Sequence, residues 1–133
     1  MTQSLSVREL IERTEKKLKL ADLHFGHGTD NALDESFYLV MVAAGLEFDC
    51  DEEKLNEPIN QEMLNHIEKL IERRVHERVP VAYLVNQAWF AGHKYYVDER
   101  VLIPRSPLAE LIMSQFRPWL SSNNVDSILD IGT

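Results

Sequence analysis

The residues Asp130-Ile131-Gly132-Thr133 have the types and the order of a strand that turns on a glycine beside a bound cofactor. A glycine there lets the backbone come close to the ligand, and the N-terminus of a following helix would face it. An acidic side chain at the strand's end can hold an amino or hydroxyl group of the same ligand. Four residues of this kind also arise by chance, since even a complete G-x-G-x-x-G depends on its structural setting.

A second candidate is Ile103-Pro104-Arg105-Ser106-Pro107. Two prolines stiffen the backbone around one arginine, which suits a guanidinium that must point one way. The same residues suit a rigid linker with a surface arginine. His24-x-x-His27 could supply two metal ligands, but Cys50 is distant in sequence and no third ligand is spaced to join them, so no metal is expected. Spacing reveals no Ser-His-Asp or Cys-His arrangement, although such sets are often dispersed along a chain. Trp89, Phe90, Tyr95 and Tyr96 could stack on bases or form the packed face of a hairpin.

These residues need elements to position them. The pattern predicts a helix over 6–23, opened by a Ser6/Glu9 capping box, with Val7, Leu10, Ile11, Thr14, Leu18 and Ala21 along one stripe. A second helix is expected over 31–44, capped by Asp30, with Leu33, Phe37, Val40, Met41 and Ala44 inward and Gly45 ending it. The acidic stretch 47–58 reads as a loop with a short helical turn. A third helix begins near Asn60, turns Met63, Ile67, Leu70, Ile71 and Val75 inward, and stops before Pro80. Beyond it, Trp89–Ala91 and Tyr95–Val97 read as two strands around a Gly92-His93 turn, and 101–103 as a further extended piece. A helix over 108–119 and a buried strand over 125–131 complete the pattern. That last strand has no sheet to join within the sequence, because a parallel sheet needs further β-α units, and the chain is therefore expected to be part of a longer protein.

Composition narrows the partners. With 44% hydrophobic and 27% charged residues the chain has the balance of a folded globular protein. No apolar run is long enough to span a bilayer and no signal peptide is evident, so a cytoplasmic location without membrane contact is expected. The single Cys50 rules out an internal disulfide. The net charge of −8 is concentrated at the front: residues 1–75 hold 9 basic and 16 acidic side chains, and residues 76–133 hold 5 and 6. Such a field repels nucleic-acid phosphates and attracts basic partners; it is also what solubility alone would favour.

Taken together, Arg78-Val79-Pro80-Val81-Ala82-Tyr83-Leu84, Trp89-Phe90-Ala91-Gly92-His93-Lys94-Tyr95-Tyr96-Val97 and Val101-Leu102-Ile103-Pro104-Arg105 resemble the segment that precedes the catalytic domain in the HemK family of protein-glutamine methyltransferases. The release-factor branch of that family continues as Pro-Arg-Pro-x-Thr-Glu. Here Pro104-Arg105-Ser106-Pro107-Leu108-Ala109-Glu110-Leu111 instead resembles the branch acting on a large-subunit ribosomal protein. The resemblance is specific over 78–133 and looser over the helical front, whose size and position fit the family's substrate-recognition domain.

The resemblance implies a mostly α chain in three parts: a helical substrate-recognition domain over 1–78, a β-hairpin linker over 79–105, and over 106–133 the first helix and strand of a truncated Rossmann-like α/β methyltransferase domain. It implies S-adenosylmethionine as the cofactor of the full-length protein, with Asp130, Gly132 and Thr133 beside it and Pro104 and Arg105 at the wall of the active site. It implies a basic large-subunit ribosomal protein as partner, with no direct nucleic-acid contact. An amide nitrogen is a poor nucleophile because its lone pair is delocalised into the carbonyl. The family's Asn-Pro-Pro-Tyr motif positions that nitrogen. The motif is absent from these 133 residues, so no catalytic residue is assigned and the chain alone is expected to be inactive. Release-factor methylation, DNA amino-group methylation and a free-standing protein-binding helical module are the alternatives. The charge argues against DNA. The module would leave 112–133 as an exposed tail, for which Leu111, Ile112, Phe116, Trp119, Ile128 and Leu129 are too apolar.

Overall fold

A computed structural model describes residues 4–121 and 124–132. The first helix, α1, spans Val7–Leu20 and opens on the expected capping box: Ser6 Oγ accepts from the Glu9 amide at 3.3 Å, and the Glu9 carboxylate accepts from the Ser6 amide at 2.8 Å. The two bonds satisfy donors that a helix start leaves free. α1 ends earlier than expected. Ala21 caps it and Asp22 takes a left-handed φ of 48°, a turn that places Leu23 against Leu18 and Ala32.

α2 spans Ala32–Ala43, and two expectations about it are corrected. Asn31, not Asp30, is the cap, its side-chain oxygen accepting from the Asp34 amide at 2.9 Å. The inner face is Ala32, Glu35, Ser36, Leu39, Val40 and Met41, while Leu33 is half exposed. A short helix, α3, covers Glu52–Asn56 in the acidic connection. α4 spans Gln61–Glu72, capped by Asn60, and buries Ile67, Leu70 and Ile71. Leu10, Leu39, Met41, Ile67 and Ile71 are fully enclosed where α1, α2 and α4 meet. Burying a side chain of this size stabilises by about 1.5–3 kcal/mol, so this cluster dominates the fold's apolar energy.

α4 runs into a wide π-type turn at Arg73–Glu77, and Arg78 stops it with a left-handed φ of 58°. The turn buries Arg74, whose guanidinium bonds both oxygens of the buried Glu35 carboxylate and, at 3.0 Å, the His24 carbonyl. Arg78 reaches the Asp22 and Ala21 carbonyls at the end of α1.

Pro80 leads into a four-residue helix, α5 (Val81–Leu84), in a stretch to which the sequence reading assigned no element. Two antiparallel strands follow, β1 (Ala88–Phe90) and β2 (His93–Tyr95), paired Ala88 with Tyr95, Trp89 with Lys94 and Phe90 with His93. The turn is Ala91-Gly92, one residue before the expected position. Both residues have positive φ, 49° and 78°, the type I′ geometry that matches the twist of a two-residue hairpin. Residues 101–103 form no strand, but Ile103 is buried with Ala82, Ala88 and Val97 in a small second core. Asn86 donates to the Val97 carbonyl at 3.1 Å, and Tyr83 donates to that of Val101.

The final part departs most from expectation. α6 covers only Leu108–Met113 and buries none of its residues. The expected strand over 125–131 is absent: Ile128, Leu129 and Ile131 are 86%, 83% and 84% exposed along an extended segment. A strand needs a hydrogen-bonding neighbour, and among the described residues β1–β2 is the only sheet. The mostly helical class thus holds, and a Rossmann-like layer is not built by these residues. No described helix is long and apolar enough to cross a membrane.

Candidate functional site

The helical part meets the hairpin along α2. Tyr38 on α2 donates from its hydroxyl to the Gln87 carbonyl at 2.8 Å, just ahead of β1. Its ring lies 5.5 Å from that of Phe48 at 23°, a stacked pair, and Phe48 in turn lies 6.4 Å from Trp89 on β1. Half-burial of the Tyr38 phenol pushes its pKa up from 10 to about 12, so it remains a neutral donor at any physiological pH.

Beside this contact lies an open recess lined by His27, Gly28, Tyr38, Gln87, Trp89 and Pro104 among others. Pro104 therefore lines a concave surface. Arg105 is exposed and reaches back to the helical part, its guanidinium 3.4 Å from His27 Nδ1. A guanidinium can only donate, so this contact is a hydrogen bond only with His27 Nδ1 as the acceptor. Tyr38 and Gln87 were not singled out from the sequence, and His27 was weighed there only as a metal ligand. The one available hint was a tyrosine hydroxyl in the run Phe37 to Ala43, which is otherwise apolar.

Asp130 and Gly132 are exposed in the final extended segment. Gly132 has φ +86°, and a Cβ built on it would meet nothing within 4 Å. Thr133 lies outside the described residues. The positive φ suits a glycine turn, but the two described residues are exposed and pair with no described strand. They do not by themselves fit S-adenosylmethionine, and no chemical step is derived through it. His24 and His27 meet edge-to-face with ring centroids 6.4 Å apart, and among the described residues no group of three His, Cys, Asp or Glu side chains could hold a metal ion.

No family model matches the chain. Individual relatives do. The chain is 40% identical over 129 residues to "Ribosomal protein uL3 glutamine methyltransferase" of Burkholderia pseudomallei, covering 96% of this chain and 42% of that protein. It is 46% identical over 133 residues to the protein of the same name from Xylella fastidiosa strain 9a5c, and 45% identical to that of strain Temecula1, in each case covering 96% of this chain and 41% of the relative. Identity at this level along nearly the whole chain takes in the helical front, where the family resemblance was looser, as well as the hairpin. Over 96% of its length the chain is thus similar to proteins named ribosomal protein uL3 glutamine methyltransferase, and it spans about two fifths of the length of the curated relatives it matches.

Proposed function

We propose that the chain is the substrate-recognition and linker part of an S-adenosylmethionine-dependent methyltransferase that modifies a glutamine side-chain amide of ribosomal protein uL3, a basic protein of the large subunit. The observation that carries this reading is the 40–46% identity, over 96% of the chain, to three proteins of that name. In this reading residues 1–78 recognise the substrate, 79–105 link, and 106–133 begin the catalytic domain. Asp130, Gly132 and Thr133 join a cofactor loop once further strands lie beside them, and Pro104 and Arg105 wall the active site. The acidic front speeds encounter with a basic protein, and the work takes place in the cytoplasm.

A helical protein-binding module is the second reading. It is favoured by the exposure of Ile112, Met113, Phe116, Trp119 and Leu120 and of the run 124–132, the tail that such a module would leave.

One assay separates the two. A protein of the relatives' full length containing this chain is incubated with uL3 and isotopically labelled S-adenosylmethionine, beside a version lacking residues 1–78 and beside the 133-residue chain alone. The methyltransferase reading expects label on one uL3 glutamine with the full-length protein only. Binding of uL3 without any label in any sample leaves the module as the account.

A further inference from the structure

Next to the recess is a wider, open groove lined by Asp30, Asp34, Phe37, Tyr38 and Phe48. The two concavities share Gly28, Thr29 and Tyr38, so they adjoin. The aromatic side is held in place by its own packing: Phe48 lies 6.0 Å from Phe37, 5.5 Å from Tyr38 and 6.4 Å from Trp89. Even so, Phe48 and Trp89 remain 39% and 47% exposed. Asp30 and Asp34, which line the same groove, are exposed. Asp34 accepts from the Asn31 amide at 2.8 Å, and no ion pair among the described residues neutralises Asp30, Asp34, Glu47 or Asp49. Rigid ring faces beside unneutralised carboxylates suit a cationic side chain, which gains from the ring quadrupole and from the opposite charge together.

We propose that this groove docks a lysine- or arginine-bearing peptide segment and leads it toward the recess walled by Pro104. The proposal rests on the function proposed above, since it names the surface by which a basic substrate is held. It commits to a basic polypeptide because the carboxylates would repel phosphates, and because a purely apolar partner would leave them without counter-charge.

The test uses the whole chain with Trp119→Phe, so that Trp89 is the sole indole, and a short synthetic peptide of alternating lysine and arginine as probe. Trp89 fluorescence reports binding. Phe48→Ala, and separately the near-isosteric pair Asp30→Asn with Asp34→Asn, are expected to weaken binding by about tenfold. The pair should also flatten the salt dependence. Glu52→Gln with Glu53→Gln, which removes two exposed carboxylates of α3 outside the groove, is expected to change binding by less than about twofold. Equal losses for the two carboxylate pairs would show diffuse charge attraction and overturn the groove, as would no loss with either groove variant. The asparagine pair keeps the test decisive if Phe48→Ala perturbs folding. Labelling of uL3 by the full-length protein is read separately. Labelling with KM unchanged in the groove variants ends the groove proposal alone, whereas groove-dependent probe binding without any labelling of uL3 ends the functional reading alone.

Discussion

The phenol of Tyr38 in α2 donates a 2.8 Å hydrogen bond to the main-chain carbonyl of Gln87, 49 residues further along the chain, and so fastens the hairpin to the helices. Burial raises the Tyr38 pKa from 10 to about 12. The folded state therefore prefers the neutral phenol more strongly than the unfolded state does. That stability is fully present below pH 10 and is lost as pH rises through 12. Discounted for a half-exposed group, the contribution is about 1 kcal/mol. Tyr38→Phe should lose about 1 kcal/mol at pH 7 through the missing bond and then lose less between pH 10 and 12 than the parent chain. Urea denaturation across that range measures both, and equal alkaline losses would assign the effect to another tyrosine.

Arg74 and Glu35 form a buried pair whose side chains are each only 5% exposed. Removing one partner strands a charge in the core. Arg74→Met should cost about 3–5 kcal/mol, whereas Arg74→Met combined with Glu35→Leu should cost clearly less. Chemical denaturation of the single and double variants decides this. A double variant no better than the single would mean that the bond from Arg74 to the His24 carbonyl matters more than the ion pair.

Ala91 sits at φ 49° in the hairpin turn, a conformation an alanine adopts reluctantly. Asn-Gly is the favoured sequence for this turn type. Ala91→Asn should stabilise by about 0.5–1 kcal/mol, and Gly92→Ala, at φ 78°, should destabilise by a similar amount. Thermal melts of the two variants should shift in opposite directions.

The described residues after Arg105 add little to the core, since α6 buries none of its residues and those described beyond it are exposed. A chain ending at Arg105 should melt within about 2 °C of the 133-residue chain. It should also lose any concentration-dependent association, because exposed apolar backbone invites pairing between copies. Sedimentation velocity at several concentrations tests this; association that survives truncation would place the self-contact on the helices or the hairpin.

Local signals in the sequence carried well. Ser6 with Glu9, and Asn60, mark their helix starts, and the stripe from Val7 to Leu18 is the buried face of α1. α2 carried poorly because apolar residues surround much of it, so a 3.6-residue period selects no single face; Leu33 went out and Ala32, Glu35 and Ser36 went in. The burial of Glu35 and Arg74 was not visible, since each is ordinarily a surface residue and they meet 39 positions apart. α5 is too short to show a period. In the hairpin, glycine marked the turn but not which of its positions the glycine fills. Val125 to Ile131 has the composition of a strand, yet strand geometry depends on a neighbour that composition cannot provide. At the site, the two prolines around Arg105 were visible as a stiff segment, and Pro104 lines the recess. The His27–Arg105 contact, across 78 positions, was not.

The wide turn at Arg73–Glu77 sets an angular phase. Each residue of an α-helix advances the chain by about 100° around the axis, and a π-type turn accommodates one residue more than an α-turn. Everything after it is therefore rotated relative to the direction α4 would have dictated. The turn itself carries Arg74, paired with Glu35, and the residues after it set Arg78 at the end of α1 and Val81 and Leu84 on the helical core. Deleting a single residue within 73–77 would keep the composition and nearly the length, yet swing the hairpin away from Tyr38. The alignment of the recess with the groove thus depends on a count of residues in a stretch that touches neither.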